Sequence, residues 1–139
     1  MTIAQSSPNN QTFISGALGG LVGAVANAIV FFIATALFSI NLQITQPPEM
    51  TTLGPLPLPA VILASFVPGI FAALLYLLLQ RFTAQAGRIF LGIAVVVLVF
   101  SFFPLVGMPL MTDSVKVVLA VMHIVAAGAI MGVFALRQR

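Results

Sequence analysis

Side chains able to do chemistry are scarce in this chain, and His123 stands out among them. It is the only histidine, and it lies in an uncharged apolar stretch between Lys116 and Arg137. Glu49 and Asp113 are the only carboxylates, and the chain has no cysteine. Thiol catalysis, disulfides and thiolate metal sites are therefore excluded. A serine–histidine–acid site would need a carboxylate beside His123, and the surrounding sequence offers none.

The composition predicts that these residues lie in a membrane. The chain is 61% hydrophobic and 5% charged, whereas soluble domains carry about 25% charged residues. A chain of 139 residues cannot bury so much apolar surface in one core, so much of that surface must face lipid. The five cations are not clustered, which argues against a nucleic-acid partner. No catalytic motif occurs, and we expect neither enzymatic activity nor a bound cofactor.

Four segments have the roughly 20 apolar residues that a membrane-spanning helix needs. We therefore predict an all-α membrane protein in which four transmembrane helices form an antiparallel bundle. The predicted spans are residues 13–40, 59–81, 88–108 and 114–136. A polar tail, residues 1–12, precedes them, and a basic tail, residues 137–139, follows them. The proline-rich segment 41–58 is predicted to be an extended outer loop.

The arginines predict the orientation of the bundle. Arg81 and Arg88 flank the turn between the second and third spans, and Arg137 and Arg139 end the chain, so four of the five cations share one side. An excess of Lys and Arg marks the cytoplasmic side of a membrane protein. We expect both termini to be cytoplasmic, in a multi-pass protein of the cell (inner) membrane.

Small residues predict where the helices pack. Lipid tails are as apolar as leucine, so helices associate in a membrane through close backbone approach and polar contacts. The predicted packing residues are Gly16, Gly20 and Gly23 in the first span, Gly69 in the second, and Gly128 and Gly132 in the fourth. The last two lie on a different face from His123, and a helix with two small faces usually contacts more than one neighbour. We therefore expect association with other membrane proteins or self-association.

One polar side chain in each span is predicted to lie near the membrane midplane: Asn27, Ser65, Ser101 and His123. At about 1.5 Å of rise per residue, the four lie within roughly 8 Å of the same depth. A neutral His123 that hydrogen-bonds Asn27 or a serine, and so fixes the register of the bundle, is the favoured interpretation. A proton or substrate site and a ligand to haem or a chlorophyll-type pigment remain open.

The leading hypothesis for function is a non-enzymatic integral membrane protein that serves as an accessory or structural subunit of a larger membrane complex. The first alternative is a small oligomeric transporter or channel with a midplane polar site around Asn27 and His123. The second alternative is pigment or haem binding through His123.

Three stretches of the sequence resemble a family of small bacterial membrane proteins. They are LPLPAVILASFVPGIFAALLYLLLQRF, the R-x-F pattern at 88–90, and MHIVAAGAIMGV at 122–133. The resemblance extends from the first span through the fourth. The family is catalogued as a domain of unknown function, so the resemblance implies a four-span fold and a bacterial membrane, and it implies no catalytic residues.

Overall fold

A computed structural model describes residues 8–46, 51–108 and 110–137. Its helices are α1 (Pro8–Phe32), α2 (Leu58–Phe82), α3 (Ala86–Ser101), α4 (Phe103–Gly107) and α5 (Asp113–Arg137). A π-helical turn, Ile33–Leu37, extends α1, and two strands follow it, β1 (Gln43–Thr45) and β2 (Leu53–Pro55). Glu49, Arg139 and the first seven residues of the predicted polar tail lie outside the described residues.

Four helical segments of the described chain are long and apolar enough to cross a membrane. They are Asn9–Leu37, Leu58–Phe82, Ala86–Gly107 and Asp113–Arg137. The predicted all-α membrane fold is confirmed. The third segment is divided, since α3 ends at Ser101 and α4 begins at Phe103. Pro104 causes this break, because proline has no N–H to donate and its ring clashes with the preceding turn.

The start of the first helix differs from the prediction. It begins at Pro8, so residues 8–12 of the predicted polar tail are helical. Proline suits a first helical turn because an N–H at that position would have no helical carbonyl to donate to, so its absence costs nothing. Thr12 and Ser15 are fully buried, and the Ser15 hydroxyl donates to the Gln11 carbonyl at 2.8 Å. These short polar side chains therefore enter the bundle instead of marking its edge.

The helix α1 is the centre of the bundle, because it packs along both α2 and α5. The helix α3 is peripheral. Its only buried residues are Ala86 and Phe90, both in its first two turns. The rings of Tyr76, Phe90 and Phe134, from three helices, hold this end of α3 with centroid separations of 4.7–5.4 Å. Beyond Phe90, α3 presents most of its surface to lipid.

A β-hairpin covers the opposite end of the bundle. The strands β1 and β2 are antiparallel, with Ile44 opposite Gly54. Leu42, just before β1, is 4% exposed and joins an apolar cluster with residues of α2 and α5. The Thr45 hydroxyl donates to Met108 Sδ at 3.3 Å. The segment predicted to be an extended outer loop thus contains paired strands that pack against the helices.

Candidate functional site

Asn27 makes the polar contact that joins three helices. Its Nδ2 donates to Ser65 Oγ in α2 at 2.8 Å and to the Met122 carbonyl in α5 at 2.9 Å. Ser65 Oγ donates in turn to the Val61 carbonyl of its own helix at 2.8 Å. Asn27 and Ser65 are almost fully buried, where an unpaired polar group costs most. This contact, called the Asn27 contact below, fixes α1, α2 and α5 relative to one another.

The Asn27 contact leaves one acceptor unused. The buried Oδ1 of Asn27 has no hydrogen-bond partner within the described parts of the chain. A carbonyl can only accept, so the amide nitrogen must face Met122. Rotating the amide would set Oδ1 against that carbonyl and lose the bond. The amide orientation is therefore determined by its partners, even though one oxygen remains unsatisfied.

His123 does not take part in the Asn27 contact. Its Nδ1 lies 2.7 Å from the Leu119 carbonyl, one turn earlier in α5. The prediction that His123 hydrogen-bonds Asn27 or a serine is wrong. Successive helical residues are rotated by about 100°. The Met122 carbonyl therefore meets Asn27 of α1, while His123 lies on a different face of α5. The acceptors at Leu119 and Met122 are backbone groups, and no sequence signal marks them.

The bond to the Leu119 carbonyl also determines which ring nitrogen of His123 must carry a hydrogen. Because the carbonyl oxygen only accepts, Nδ1 carries a hydrogen and donates it. In the neutral ring, Nε2 then carries a lone pair and can accept a hydrogen bond or bind a metal ion. The described residues supply no hydrogen-bond partner for Nε2, and they contain no cluster of three or more histidine, cysteine or acidic residues that could hold a metal.

His123 lines a crevice between α2, α3 and α5, with a volume of about 550 Å³. The crevice exists because α3 is held at its first turns and stands away from its neighbours beyond them. Its walls are mostly apolar, with Phe71, Leu75 and Ile130 among them. Ser101 also lines it, and its hydroxyl donates to the Leu98 carbonyl of its own helix at 2.6 Å.

A proline in the crevice wall removes one backbone hydrogen bond from α2. Pro68 lies inside α2, and both Pro68 and Ala64 line the crevice. Proline has no N–H, so it gives no hydrogen bond to the Ala64 carbonyl one turn earlier. The crevice therefore combines an apolar wall with the Nε2 acceptor of His123, and it suits an apolar molecule that carries a hydrogen-bond donor.

The four predicted midplane residues thus lie in two separate places. Asn27 and Ser65 meet in the seam between α1, α2 and α5, whereas Ser101 and His123 face the crevice. Within each span the depth of the polar residue follows from its position in the sequence. The face of the helix on which it lies depends on how the helix is rotated and how it crosses its neighbours. These rotations place two of the four residues in the seam and two in the crevice.

Three of the predicted packing glycines lie where α1 and α2 touch. A Cβ on Gly16 would overlap the Gly69 carbonyl oxygen, and one on Gly69 would overlap the Gly16 carbonyl oxygen. A Cβ on Gly20 would lie 2.5 Å from the Phe66 carbonyl oxygen. The backbones of the two helices are therefore in direct contact, which only glycine permits at these positions.

The contact between α1 and α5 uses the adjacent face of α1. A Cβ on Gly19 would lie 2.9 Å from Ile130 Cα, and one on Gly23 would lie 3.3 Å from Ala126 Cα. The small residues of α1 thus form two seams, one for each neighbouring helix. This explains why α1 occupies the centre of the bundle.

The glycines of α5 behave differently. A Cβ on Gly128 or Gly132 would meet nothing within 4 Å, and both residues are exposed. They make no packing contact within the described chain, where α5 contacts α1 through Ala126 and Ile130 instead. We refer to Gly128 and Gly132 as the open glycine face.

The charged residues that the structure describes lie at the two ends of the bundle. Arg81 and Arg137 lie in the last turns of α2 and α5, and Arg88 lies in the first turn of α3; all three are exposed. At the other end, Lys116 Nζ lies 4.0 Å from Asp113 Oδ1. An exposed pair of this kind contributes little to stability.

Four membrane-competent helices with apolar outer faces define a multi-pass integral membrane protein. The chain belongs to the Family of unknown function (DUF6069), which matches residues 8–139. No curated protein and no solved structure matches the chain.

Proposed function

We propose that this protein is a non-enzymatic accessory or structural subunit of a larger membrane complex, to which it docks through α5. The observation that carries the proposal is the open glycine face. Gly16 and Gly20 have the same four-residue spacing as Gly128 and Gly132, and α2 covers them with direct backbone contact. The open glycine face offers a second helix the same close approach.

Glycine inside a helix has a free-energy cost that close helix packing can offset. Each glycine destabilises a helix interior by about 1 kcal/mol relative to alanine. Inside the bundle this cost is offset by backbone contact between helices. At Gly128 and Gly132 no helix of the described chain provides that contact. The side chains of Val121 and Ile124, also in α5, are exposed and extend the apolar surface of this helix. Such a surface suits contact with a helix of another membrane protein.

The transporter alternative has less support. A transport path would need polar groups that follow one another across the membrane. Asn27 and Ser65 are buried and bonded to each other, while Ser101 and His123 lie in a separate crevice. Four helices with their polar groups divided in this way offer no continuous polar route through the described bundle.

We infer that the arginine end of the bundle faces the cytoplasm of a bacterial cell, with both termini on that side. The support is the shared position of Arg81, Arg88 and Arg137 at one end. Positively charged loops are retained on the cytoplasmic side during insertion.

The docking proposal is tested by co-purification after gentle solubilisation. The tagged wild-type protein is expected to retain a second membrane protein in fixed ratio. Gly128→Leu together with Gly132→Leu should abolish this retention, because the new side chains keep a partner helix at a distance. Gly92→Leu is the matched control, since Gly92 is also exposed with nothing within 4 Å of its Cβ position. Equal retention by both variants would refute the role of the open glycine face.

A second candidate function is ligand binding in the crevice beside His123. The observation that favours it is the free Nε2 facing no described partner in a largely apolar space of about 550 Å³. An apolar molecule with a hydroxyl donor, or a haem or pigment bound through Nε2, would use this acceptor. Mass spectrometry and a visible absorption spectrum of the gently purified protein test it. A bound molecule that His123→Leu removes supports this function, and a preparation containing only bulk lipid counts against it.

A further inference from the structure

A second, polar pocket lies where α2 turns into α3, at the arginine end of the bundle. Its volume is about 550 Å³, and the polar residues that line it are Tyr76, Gln80, Thr83, Gln85 and Arg88. It shares no lining residue with the crevice beside His123. Neither the subunit proposal nor the crevice accounts for this pocket.

Tyr76, the only tyrosine of the chain, has a largely buried ring and presents its hydroxyl to the pocket. Its ring packs against Phe90 and Phe134, with centroids 5.4 and 5.1 Å away, and the residue is 6% exposed. The hydroxyl lies 3.6 Å from the position of a Cβ on Gly87, which also lines the pocket. It has no hydrogen-bond partner in the described part of the chain. The hydroxyl is therefore free to donate to a molecule that enters the pocket.

Several other groups around the pocket are donors or positive, beside the side chains of Gln80, Thr83 and Gln85, which can donate or accept. The N–H groups of Ala86 and Gly87 begin α3, where no preceding helical carbonyl can accept them and the helix dipole is positive. The guanidinium of Arg88 is exposed and makes no ion pair with a described residue. The sequence contains no carboxylate between Glu49 and Asp113. Such a set of donors fits an anion with several acceptor oxygens, and phosphate is the commonest.

The position of the pocket selects the source of the phosphate. The membrane-competent helix α2 ends at Phe82 and α3 begins at Ala86, so the pocket lies at the depth where helices leave the hydrocarbon region. Phospholipid headgroups occupy that depth, and basic pockets between helices bind them. We propose that the pocket binds the phosphate of an anionic phospholipid, with the Tyr76 hydroxyl and the Arg88 guanidinium donating to its oxygens.

The test titrates phosphatidylglycerol or phosphatidylcholine into the full chain in detergent and measures bound lipid by native mass spectrometry. Phosphatidylglycerol is expected to bind about tenfold more tightly. Arg88→Gln should weaken its binding by about tenfold or more, and Tyr76→Phe by severalfold, as expected for hydrogen bonds to a charged group. Arg81→Gln removes the same charge from the same end without altering the pocket lining, so its affinity should match wild type. Tyr76→Phe keeps the ring packing and therefore the fold.

Two results would overturn the proposal. Equal weakening by Arg81→Gln and Arg88→Gln, with no effect of Tyr76→Phe, would mean that the lipid senses only the diffuse positive charge of this end. Displacement of phosphatidylglycerol by inorganic phosphate at comparable concentration would mean that the site takes free phosphate. If Arg88→Gln fails to fold, Arg88→Lys takes its place. Lysine keeps the charge but loses the planar fork, so this variant should bind phosphatidylglycerol more weakly than wild type does. Neither result bears on docking through the open glycine face, which has its own test.

Discussion

Replacing Gly69 by alanine tests the close contact between α1 and α2. The added Cβ would lie 2.8 Å from both Cα and N of Gly20, and it would overlap the Gly16 carbonyl oxygen. Ordinary contact begins at 3.4 Å, so the two helices must separate by at least about 0.6 Å to accept one methyl group. All three obstructing atoms belong to the backbone, so no change of side-chain rotamer can relieve the overlap.

The separation carries a second cost at the Asn27 contact. Asn27 Nδ2 and Ser65 Oγ are 2.8 Å apart, and a shift of about 0.6 Å would take them past the 3.2 Å limit of a good hydrogen bond. Overpacking costs about 1–3 kcal/mol, and a bond between membrane helices contributes about 0.6 kcal/mol. Alanine recovers up to about 1 kcal/mol of helix propensity. We expect the free energy of unfolding to fall by about 0.6–2.6 kcal/mol.

The assay is reversible unfolding in mixed micelles, followed by circular dichroism while the fraction of denaturing detergent is raised. Gly92→Ala is the matched control, because a Cβ there meets nothing within 4 Å. That variant should be as stable as wild type or more stable by up to about 1 kcal/mol. A Gly69→Ala protein that unfolds no more easily than wild type would refute the backbone contact between α1 and α2.

Two further predictions concern the polar contact and the orientation. A double-mutant cycle with Asn27→Ala and Ser65→Ala should give a coupling energy of about 0.6 kcal/mol and not above about 1.7 kcal/mol in the same unfolding assay; zero coupling would contradict their hydrogen bond. The chain has no native cysteine, so single cysteines at Thr52 and Gln85 report the two ends. An impermeant thiol reagent added to intact cells should label Thr52→Cys and leave Gln85→Cys unlabelled until the membrane is opened; the reverse pattern would invert the proposed topology.

The features that repeat along one helix were accessible from the sequence. Apolar length predicted four membrane-competent helices, because a span must match the hydrocarbon thickness. The spacing of Gly16 and Gly20 predicted a packing face, and the structure has α2 against it. Gly128 and Gly132 show the same spacing without a neighbour in the described chain. Glycine spacing indicates that another helix can approach closely. It does not specify which helix does so.

The features that depend on rotation about a helix axis were not accessible. Met122 and His123 are adjacent in sequence, yet the carbonyl of one meets Asn27 and the ring of the other lines the crevice. Depth alone could not separate them. The early start of α1 was also missed, because Thr12 was placed in the polar tail although it is buried.

Local backbone features lacked a sequence signal of their own. The π-helical turn at Ile33–Leu37 gives way to Ser39, which has a φ of 50°. The N–H of Ile40 then donates to the Ala34 carbonyl at 2.9 Å, and the chain turns toward the hairpin. A left-handed residue at a helix end is usually glycine or asparagine, so a serine at this position gave no indication of the turn.

We propose that the protein is a subunit held through its open glycine face. The most direct test is to extract it from its native membrane with a surrounding patch of lipid. Native mass spectrometry of the extracted particle then identifies every polypeptide in it. The particle should contain this chain together with a different membrane protein in a fixed ratio, and that protein should be lost when Gly128 and Gly132 are both replaced by leucine. A particle containing only a single copy of this chain and lipid would show that the open glycine face holds no partner.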